Sequence, residues 1–363
     1  MKILLLVNNV FYEKKGSLFT FRAIGDFGTQ LINLGNEVEM LQTKLKKDEE
    51  FHDFDLNNSK IKTTALNRYK SKIFTYLLVY LVGFWKVYKS DFVYIYYPTN
   101  YHFFAFFSLL LGKKYGLNVR GQQGVDSKLS KFLYKYAEVV FTVSPNFTEL
   151  VNSCGGNGIT QRPGISFNYT DIVEVRKLKK KSIYNILYLG RLDVEKGLIE
   201  LLDAVELVKK KQVYNFKLTV VGDGYNEDYI KCYSNKLNLG DTIYFYGPET
   251  DLSNIKDLYM ESDLFILPTH HEGFPRTLYE AMIFGVPIIT TFVGGIPSRM
   301  IDNYNCLRIM PFSVDSIVEK LEYAFNNYIN LNPLIKNAQF TIREILDPKK
   351  LSHAEELNRV IYL

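Results

Sequence analysis

Cysteine is scarce in this chain: its 363 residues hold three, Cys154, Cys232 and Cys306, with no CxxC spacing. That argues against a disulfide framework or a structural zinc site and favours a reducing cytoplasm. Long unbroken apolar runs are also missing. Phe92 to Gly112 carries no formal charge over a length that could cross a bilayer. Pro98, Thr99, Asn100 and His102 divide it, however, into a strand FVYIYY, a polar loop and an apolar helix YHFFAFFSLLLG. Ile73 to Trp85 is too short to span and has basic flanks, so no transmembrane segment is expected. The opening MKILLLVNNVF lacks a small-residue cleavage site and reads as a first strand rather than a signal peptide. Low-complexity sequence is absent from both halves.

What charge there is lies unevenly. Up to Ile165 there are 21 Lys and Arg against 13 Asp and Glu, and the remainder has 23 against 26. A basic, aromatic-rich first half suits an anionic membrane surface or a phosphate-bearing partner, or is simply a solvated lysine face. No recognised nucleic-acid motif accompanies the charge, so no nucleic-acid partner is expected.

The length exceeds one typical core and suggests two domains. Short apolar runs alternate with helical patterns throughout, which predicts an α/β fold with parallel sheets. KILLLVNNV comes first, followed by a loop holding Gly16 and a helix ending at Gly35. NEVEML, FVYIYY, LNVRG and EVVFTVS come next. The basic stretch EVRKLKKKS marks a linker, after which the pattern restarts with YNILYLG, FKLTVVGDG, TIYFYG, LFILP and PIITT, each separated by a helical segment. The tail DPKKLSHAEELNRVIYL reads as helical.

The most informative stretch is EGFPRTLYE, in which Glu272 and Glu280 bracket a Gly-Phe-Pro turn directly after a strand. Carboxylates there suit sugar hydroxyls, and the amides of a following helix suit phosphate. GRLDVEKG sets Arg191 and Lys196 after another strand, with Gly190 and Gly197 allowing close backbone approach. Arg supplies a forked donor and Lys a point charge, a pair able to hold a diphosphate. Gly222 in GDG, Gly247 in FYGPE, and Gly294-Gly295 in FVGGIP fall at three further strand ends. Turns of this kind would all line one edge of one sheet, where open α/β sheets bind ligands.

In order and spacing, GRLDVEKG, VVGDG, FYGPE, HHEGFPRTLYEAMIFGVPII and TTFVGG resemble the donor half of the retaining glycosyltransferases of family 4, the glycosyl transferases group 1 type. The resemblance spans about Ile186 to Pro297, and over the first half it extends to strand order and the Gly16 loop. It implies a GT-B fold, two Rossmann-like domains with parallel sheets facing a central cleft. An acceptor domain over 1–165, a linker over 166–182 and a donor domain over 183–347 are expected, with a helix at about 348–363 packing back on the first. By the same resemblance Arg191 and Lys196 neutralise the donor diphosphate and Glu272 contacts the donor sugar. Gly273, Phe274 and Pro275 form the turn whose amides reach sugar and phosphate. Thr277 and Leu278 lie where helix amides face the diphosphate, and Glu280 binds the ribose hydroxyls. Gly16 corresponds to the glycine loop of the first domain. Many family members carry a first-domain His near the donor sugar; here Arg120 stands at that place, and His102 is a second candidate for the role. Ser298 and Arg299 follow the Gly-Gly-x-Pro turn where a Glu is common.

The implied reaction is transfer from a UDP- or GDP-linked sugar to a saccharide or lipid-linked acceptor, with retention and without metal or cofactor. It would take place in the cytoplasm or on the inner membrane face, in surface polysaccharide assembly. Asp53-Phe54-Asp55 has the D-x-D form of metal-using enzymes, but its polar setting reads as a loop. A GT-B nucleotide-sugar epimerase and a non-catalytic nucleotide-sugar-binding subunit are the alternatives.

Overall fold

The computed structural model describes residues 1–7, 9–46, 53–120 and 124–363. They form two compact units, Met1–Arg162 with Leu351–Leu363, and Pro163–Lys350.

The first unit is laid out as β1 (Lys2–Leu6), β2 (Phe11–Lys14), β3 (Ser17–Thr20), α1 (Arg22–Asn33), β4 (Glu37–Leu45), β5 (Phe54–Asp55) and β6 (Lys62–Asn67). Next come α2 (Lys72–Lys89), β7 (Phe92–Tyr97), α3 (Phe103–Leu110), β8 (Lys114–Val119), α4 (Lys128–Tyr136), β9 (Val139–Thr142), α5 (Pro145–Ser153) and β10 (Gly158–Thr160). The sheet runs β10-β9-β8-β7-β1-β4-β2-β3-β5, with β6 also on β4. Its centre is parallel and buried on both faces, so strand residues alternate between two cores. Leu4 and Leu6 of β1 pack with Val79 of α2, Phe104 of α3 and Leu133 of α4. Ile3 and Leu5 face the opposite side, with Ile24 and Phe27 of α1.

The expected Gly16 loop is a tight turn, and one other local feature differs from expectation. Gly16 is the second residue of a two-residue hairpin turn between antiparallel β2 and β3, with φ of 83° after 50° at Lys15. Two successive positive φ values are what a tight hairpin turn requires, and glycine meets that at no steric cost. Asp53-Phe54-Asp55, expected as a loop, contributes the edge strand β5, antiparallel to β3. The ring of Phe54 occupies the space a side chain at Gly25 would fill, 2.1 Å from an ideal Cβ. Asp53 accepts from Arg22 Nε at 2.6 Å. A two-residue strand is too short to show alternation, and its anchor lies in α1.

The second unit comprises β11 (Tyr184–Leu189), α6 (Leu198–Lys210), β12 (Phe216–Val221), α7 (Glu227–Lys236), β13 (Ile243–Gly247), α8 (Leu252–Glu261), β14 (Leu264–Leu267) and α9 (Arg276–Ile283). β15 (Ile288–Thr291), β16 (Leu307–Ile309), α10 (Val314–Asn326) and α11 (Asn332–Leu346) complete it. Its sheet is wholly parallel, in the order β13-β12-β11-β14-β15-β16. Residues 166–182 lie against this unit: Phe167 packs edge-on to Phe284, and the Val173 amide donates to the Ile283 carbonyl at 3.1 Å.

The last helix, α12 (His353–Ile361), belongs to the first unit, where it packs against α1. Its Ala354, Leu357 and Ile361 are buried. Asn36 Nδ2 donates to Asn358 Oδ1 at 2.7 Å. His353 sits between Phe27 and Phe141, each with its ring centroid 4.5 Å away, and its Nε2 is 2.6 Å from the Tyr94 hydroxyl. Burial, reinforced by the nearby Arg120 charge, pushes its pKa down to about 3. The unfolded chain therefore takes up a proton below about pH 6.5 that the folded protein refuses, and stability falls as the pH drops below that value. Between pH 6.5 and 5 the loss is about 2 kcal/mol. Urea melts at pH 7.5 and 5 should show it, and His353→Phe should flatten the dependence.

Candidate active site in the second unit

Numbered within the unit, the strand order is 3-2-1-4-5-6, and the direction of winding reverses between β11 and β14. Loops leaving the carboxyl ends of these two strands part there and leave a crevice, the usual ligand position in open parallel sheets. Arg191, Lys196, Glu272 and the Gly-Phe-Pro turn occupy the loops on either side of it, with Gly222 after β12 and Gly247 at the end of β13.

From β11 the chain passes Gly190 and Arg191 into a short 3₁₀ turn, Val194–Lys196, and then into α6. From β14 it passes Glu272 and the Gly-Phe-Pro turn into α9. Lys196 Nζ donates to Glu272 Oε1 at 2.5 Å across the switch point, with side-chain exposures of 8% and 22%. Gly197 makes this possible: its φ is 72°, and an ideal Cβ would fall 2.1 Å from the Pro268 carbonyl oxygen. The two loops therefore touch backbone to backbone, and the buried lysine is delivered directly onto the carboxylate.

Glycine serves the same purpose on the other side of β11. The Gly190 amide donates to the Val221 carbonyl at 3.0 Å, and the Gly222 amide to the Gly247 carbonyl at 2.8 Å. Gly222 has a φ of 132°, and its missing Cβ would lie 2.0 Å from the Gly190 oxygen. Close approach at Gly222 and Gly197 is thus first an approach of loop to loop. Asp193 joins the same framework, accepting from the Tyr225 amide at 3.0 Å. Tyr188 is buried beneath it and donates to the Arg191 carbonyl at 2.7 Å. Burial, then the Glu272 and Asp193 charges, hold its hydroxyl well above the usual tyrosine range.

Arg191 departs from the expected pairing with Lys196. Its side chain is 62% exposed and held by carboxylates two and four residues on, Asp193 and Glu195, the second at 2.7 Å. Each expected cation thus carries its own carboxylate partner. Burial follows the split: Arg191, just past the strand end, is exposed, whereas Lys196, the last residue of the 3₁₀ turn, is buried.

Helix α9 begins after Pro275 with no side-chain cap and no acidic residue in its first turn. The amides of Arg276 and Thr277 form its positive end, which attracts anions, while the Leu278 amide donates to the Pro275 carbonyl at 3.2 Å. Phe274 is buried and stacks on Tyr279 at 4.4 Å, fixing the turn. The Gly295 amide donates to the Glu272 carbonyl at 3.3 Å, so the Gly294-Gly295 turn braces Gly273 and its neighbours. One turn into α9, Glu280 Oε2 lies 3.0 Å from the hydroxyl of the buried Tyr259 of α8. That hydroxyl is also 3.1 Å from the Thr277 carbonyl. One phenolic proton cannot serve both acceptors, and burial raises the Glu280 pKa while Tyr259 and Arg276 lower it.

Tyr259, Asp193 and Glu195 were not among the expected site residues. Asp193 and Glu195 are readable in RLDVE as partners for Arg191, the latter at the i,i+4 spacing. Tyr259 occupies an apolar helical position and carries no polar signal in sequence. A second carboxylate, Glu200, lies 3.3 Å from His270 Nε2, yet burial outweighs it and lowers the His270 pKa.

The remaining candidates lie in the first unit. His102 Nδ1 is 2.6 Å from the Thr99 carbonyl oxygen, and its ring packs on Phe103. Arg120 follows β8, exposed, with its guanidinium 5.5 Å from the Tyr96 ring centre. The next three residues of LNVRGQQG, 121–123, lie outside the described residues.

Residues 171–340 match the family model of glycosyl transferases group 1. Over 135 residues the chain is 31% identical to TuaC of Bacillus subtilis, a putative teichuronic acid biosynthesis glycosyltransferase, covering 37% of this chain and 31% of that one. Over 172 residues it is 27% identical to an N-acetyl-D-galactosaminyltransferase of Campylobacter jejuni whose name specifies a PP-undecaprenol-linked acceptor, covering 47% and 45%. These matches span less than half the length of either relative. Among solved structures, HepE of Anabaena in complex with UDP aligns with a TM-score of 0.70 and 17% identity, over 100% of this chain and 98% of that one. The chain therefore has the GT-B fold, and its residues 171–340 are similar to the glycosyl transferases group 1 family.

Proposed function

We propose that this protein is a retaining, metal-independent glycosyltransferase of surface polysaccharide assembly, using a UDP- or GDP-linked sugar and a lipid-linked saccharide acceptor. The observation that carries the reading is the Lys196–Glu272 pair at the switch point, beside the uncapped start of α9. Support for the donor class comes from the UDP complex of HepE, and for the lipid-linked acceptor from the name of the Campylobacter jejuni relative.

In this reading the donor diphosphate lies against the α9 amides, with Lys196 beside it and Arg191 drawn from its two carboxylates. As the bond from the anomeric carbon to the phosphate oxygen breaks, negative charge grows on the leaving diphosphate. Fixed cations and helix amides stabilise that charge, each well-placed donor contributing about 3–4 kcal/mol. The acceptor oxygen bonds the same face of the anomeric carbon, and its proton passes to the leaving phosphate. Glu272 holds the sugar hydroxyls.

Glu280, steadied by Tyr259, holds the ribose. Tyr259→Phe removes the hydrogen bond that favours the Glu280 carboxylate, so its pKa should rise further. Donor KM is expected to rise about tenfold with a smaller change in kcat, and the acid limb of the KM profile should move to higher pH.

The test of the function is incubation with labelled UDP- and GDP-sugars and lipid-linked saccharides, with the product's anomeric configuration read by NMR. A product of retained configuration is expected. Inversion, an epimerised donor, or binding without turnover would each overturn the proposal.

A further inference from the structure

One surface of the first unit is built the wrong way round for a water-facing layer. A helix packed on a sheet ordinarily turns its polar face outward. In α2 the outward stripe is apolar: Ile73, Leu77, Leu81 and Trp85 are 84%, 53%, 57% and 62% exposed, spaced four residues apart. The inward stripe of the same helix, Thr75, Val79, Gly83 and Val87, is buried against the sheet. The neighbouring helices continue the surface. Leu110 of α3 is 77% exposed, and Phe106 of α3 stacks on the exposed Phe132 of α4 at 5.9 Å. All three helices contribute to the core on the same face of the sheet, so their outward sides form one apolar and aromatic layer. It includes the only tryptophan of the chain.

The charge carried by these three helices has one sign, although the exposed Asp91 and Asp126 lie just outside α2 and α4 and Lys86 of α2 is paired with Glu39. The sequences of α2, α3 and α4 contain no Asp or Glu. Lys128, Lys131 and Lys135 are exposed along α4, and Lys89 at the end of α2. Lys113 lies 6.0 Å from the ring centre of Tyr88, on the same rim. An apolar, aromatic centre edged by lysines is complementary to the boundary of an anionic bilayer: apolar side chains enter the acyl region, the indole settles at headgroup depth, and the ammonium groups meet lipid phosphates. A symmetric contact with a second copy would instead set lysines against lysines, an arrangement that costs affinity. No described helix is long and apolar enough to cross a membrane, so the contact is with the surface.

We infer that the outward layer of α2, α3 and α4 docks the protein on an anionic lipid surface. The inference deepens the reading of a lipid-linked acceptor and rests on it for the choice of lipid over protein. The full-length protein is floated with phosphatidylcholine vesicles, with and without phosphatidylglycerol, at low and high salt. Binding to the phosphatidylglycerol vesicles at low salt is expected, weakened by salt. A Leu81→Glu, Trp85→Glu variant should lose it about tenfold or more. A Lys128→Glu, Lys131→Glu, Lys135→Glu variant should lose the salt-sensitive part. Both should keep the wild-type melting temperature and nucleotide binding, because the substituted side chains are exposed and outside the second unit. Wild-type protein that stays unbound, variants that float as well as wild type, or a dimer abolished by Leu81→Glu, Trp85→Glu in place of lipid binding would each overturn the inference. Docking without any sugar transfer would leave it standing and remove the functional proposal instead.

Discussion

Lys196→Ala is expected to slow sugar transfer by about a hundred- to a thousandfold, the loss typical of removing one fixed donor to a developing anion. The lysine is buried, approaches from the β11 side, and ends on the carboxylate supplied from the β14 side. No neighbouring side chain takes its position, because Arg191 is turned outward to Asp193 and Glu195. The substitution also leaves Glu272 without its ion-pair partner. Glu272 keeps part of its exposure to water, so the stability cost is about 1–3 kcal/mol, below that of splitting a fully buried pair. Adding Glu272→Ala should recover part of that stability while leaving the enzyme inactive, since coupled residues are non-additive. Steady-state transfer rates and urea midpoints for the two single variants and the double variant measure both effects.

Gly222→Ala is expected to cost the second unit about 2–6 kcal/mol, a large share of a typical domain's stability. Two penalties add there. A φ of 132° is nearly closed to any residue with a side chain, a strain of about 1–3 kcal/mol. The new methyl would also lie 2.0 Å from the Gly190 carbonyl oxygen, which cannot swing aside as a flexible side chain would. Forcing β11 and β12 apart costs about 1–3 kcal/mol more and disturbs the loop that carries Lys196. Gly247→Ala is the control. Its φ of 91° is also positive, but its missing Cβ meets nothing within 4 Å. It should lose only the strain, leaving a folded unit with a lowered melting temperature. Equal stability of Gly222→Ala and wild type would show that the strand ends are not locked in this way.

These two cases show what a reader of the sequence could and could not obtain. The parallel α/β class follows from the alternation of buried runs such as LFIL with helical segments. The glycines at Gly190, Gly222 and Gly247 mark strand ends for the same reason. That Gly222 lies against Gly190 is a matter of strand order, which the linear pattern leaves open. Lys196 and Glu272 are 76 positions apart, and only the crossing from β11 to β14 brings them into contact. Arg191 and Lys196 are expected to hold a diphosphate together, and the sequence does not show that each meets a carboxylate, Arg191 those of Asp193 and Glu195 and Lys196 that of Glu272. Tyr259 was invisible because its ring fills an apolar position and only its hydroxyl reaches Glu280. β5 and β16 escaped notice because two or three residues cannot display a period, and β5 is held by Phe54 against Gly25 in a distant helix.

The most direct measurement is calorimetric titration of UDP and of GDP into the wild-type protein and into Lys196→Ala, Glu272→Gln and Tyr259→Phe. One of the two nucleotides should bind the wild type, and it should raise the melting temperature in proportion to its affinity. Lys196→Ala should lose most of that binding, because it removes a diphosphate contact. Tyr259→Phe should weaken it about tenfold, through the ribose. Glu272→Gln should keep it nearly intact, because its contact is with the sugar the probe lacks. Undiminished binding to Lys196→Ala, or no binding of either nucleotide to wild type, would contradict a donor site at the β11–β14 switch point.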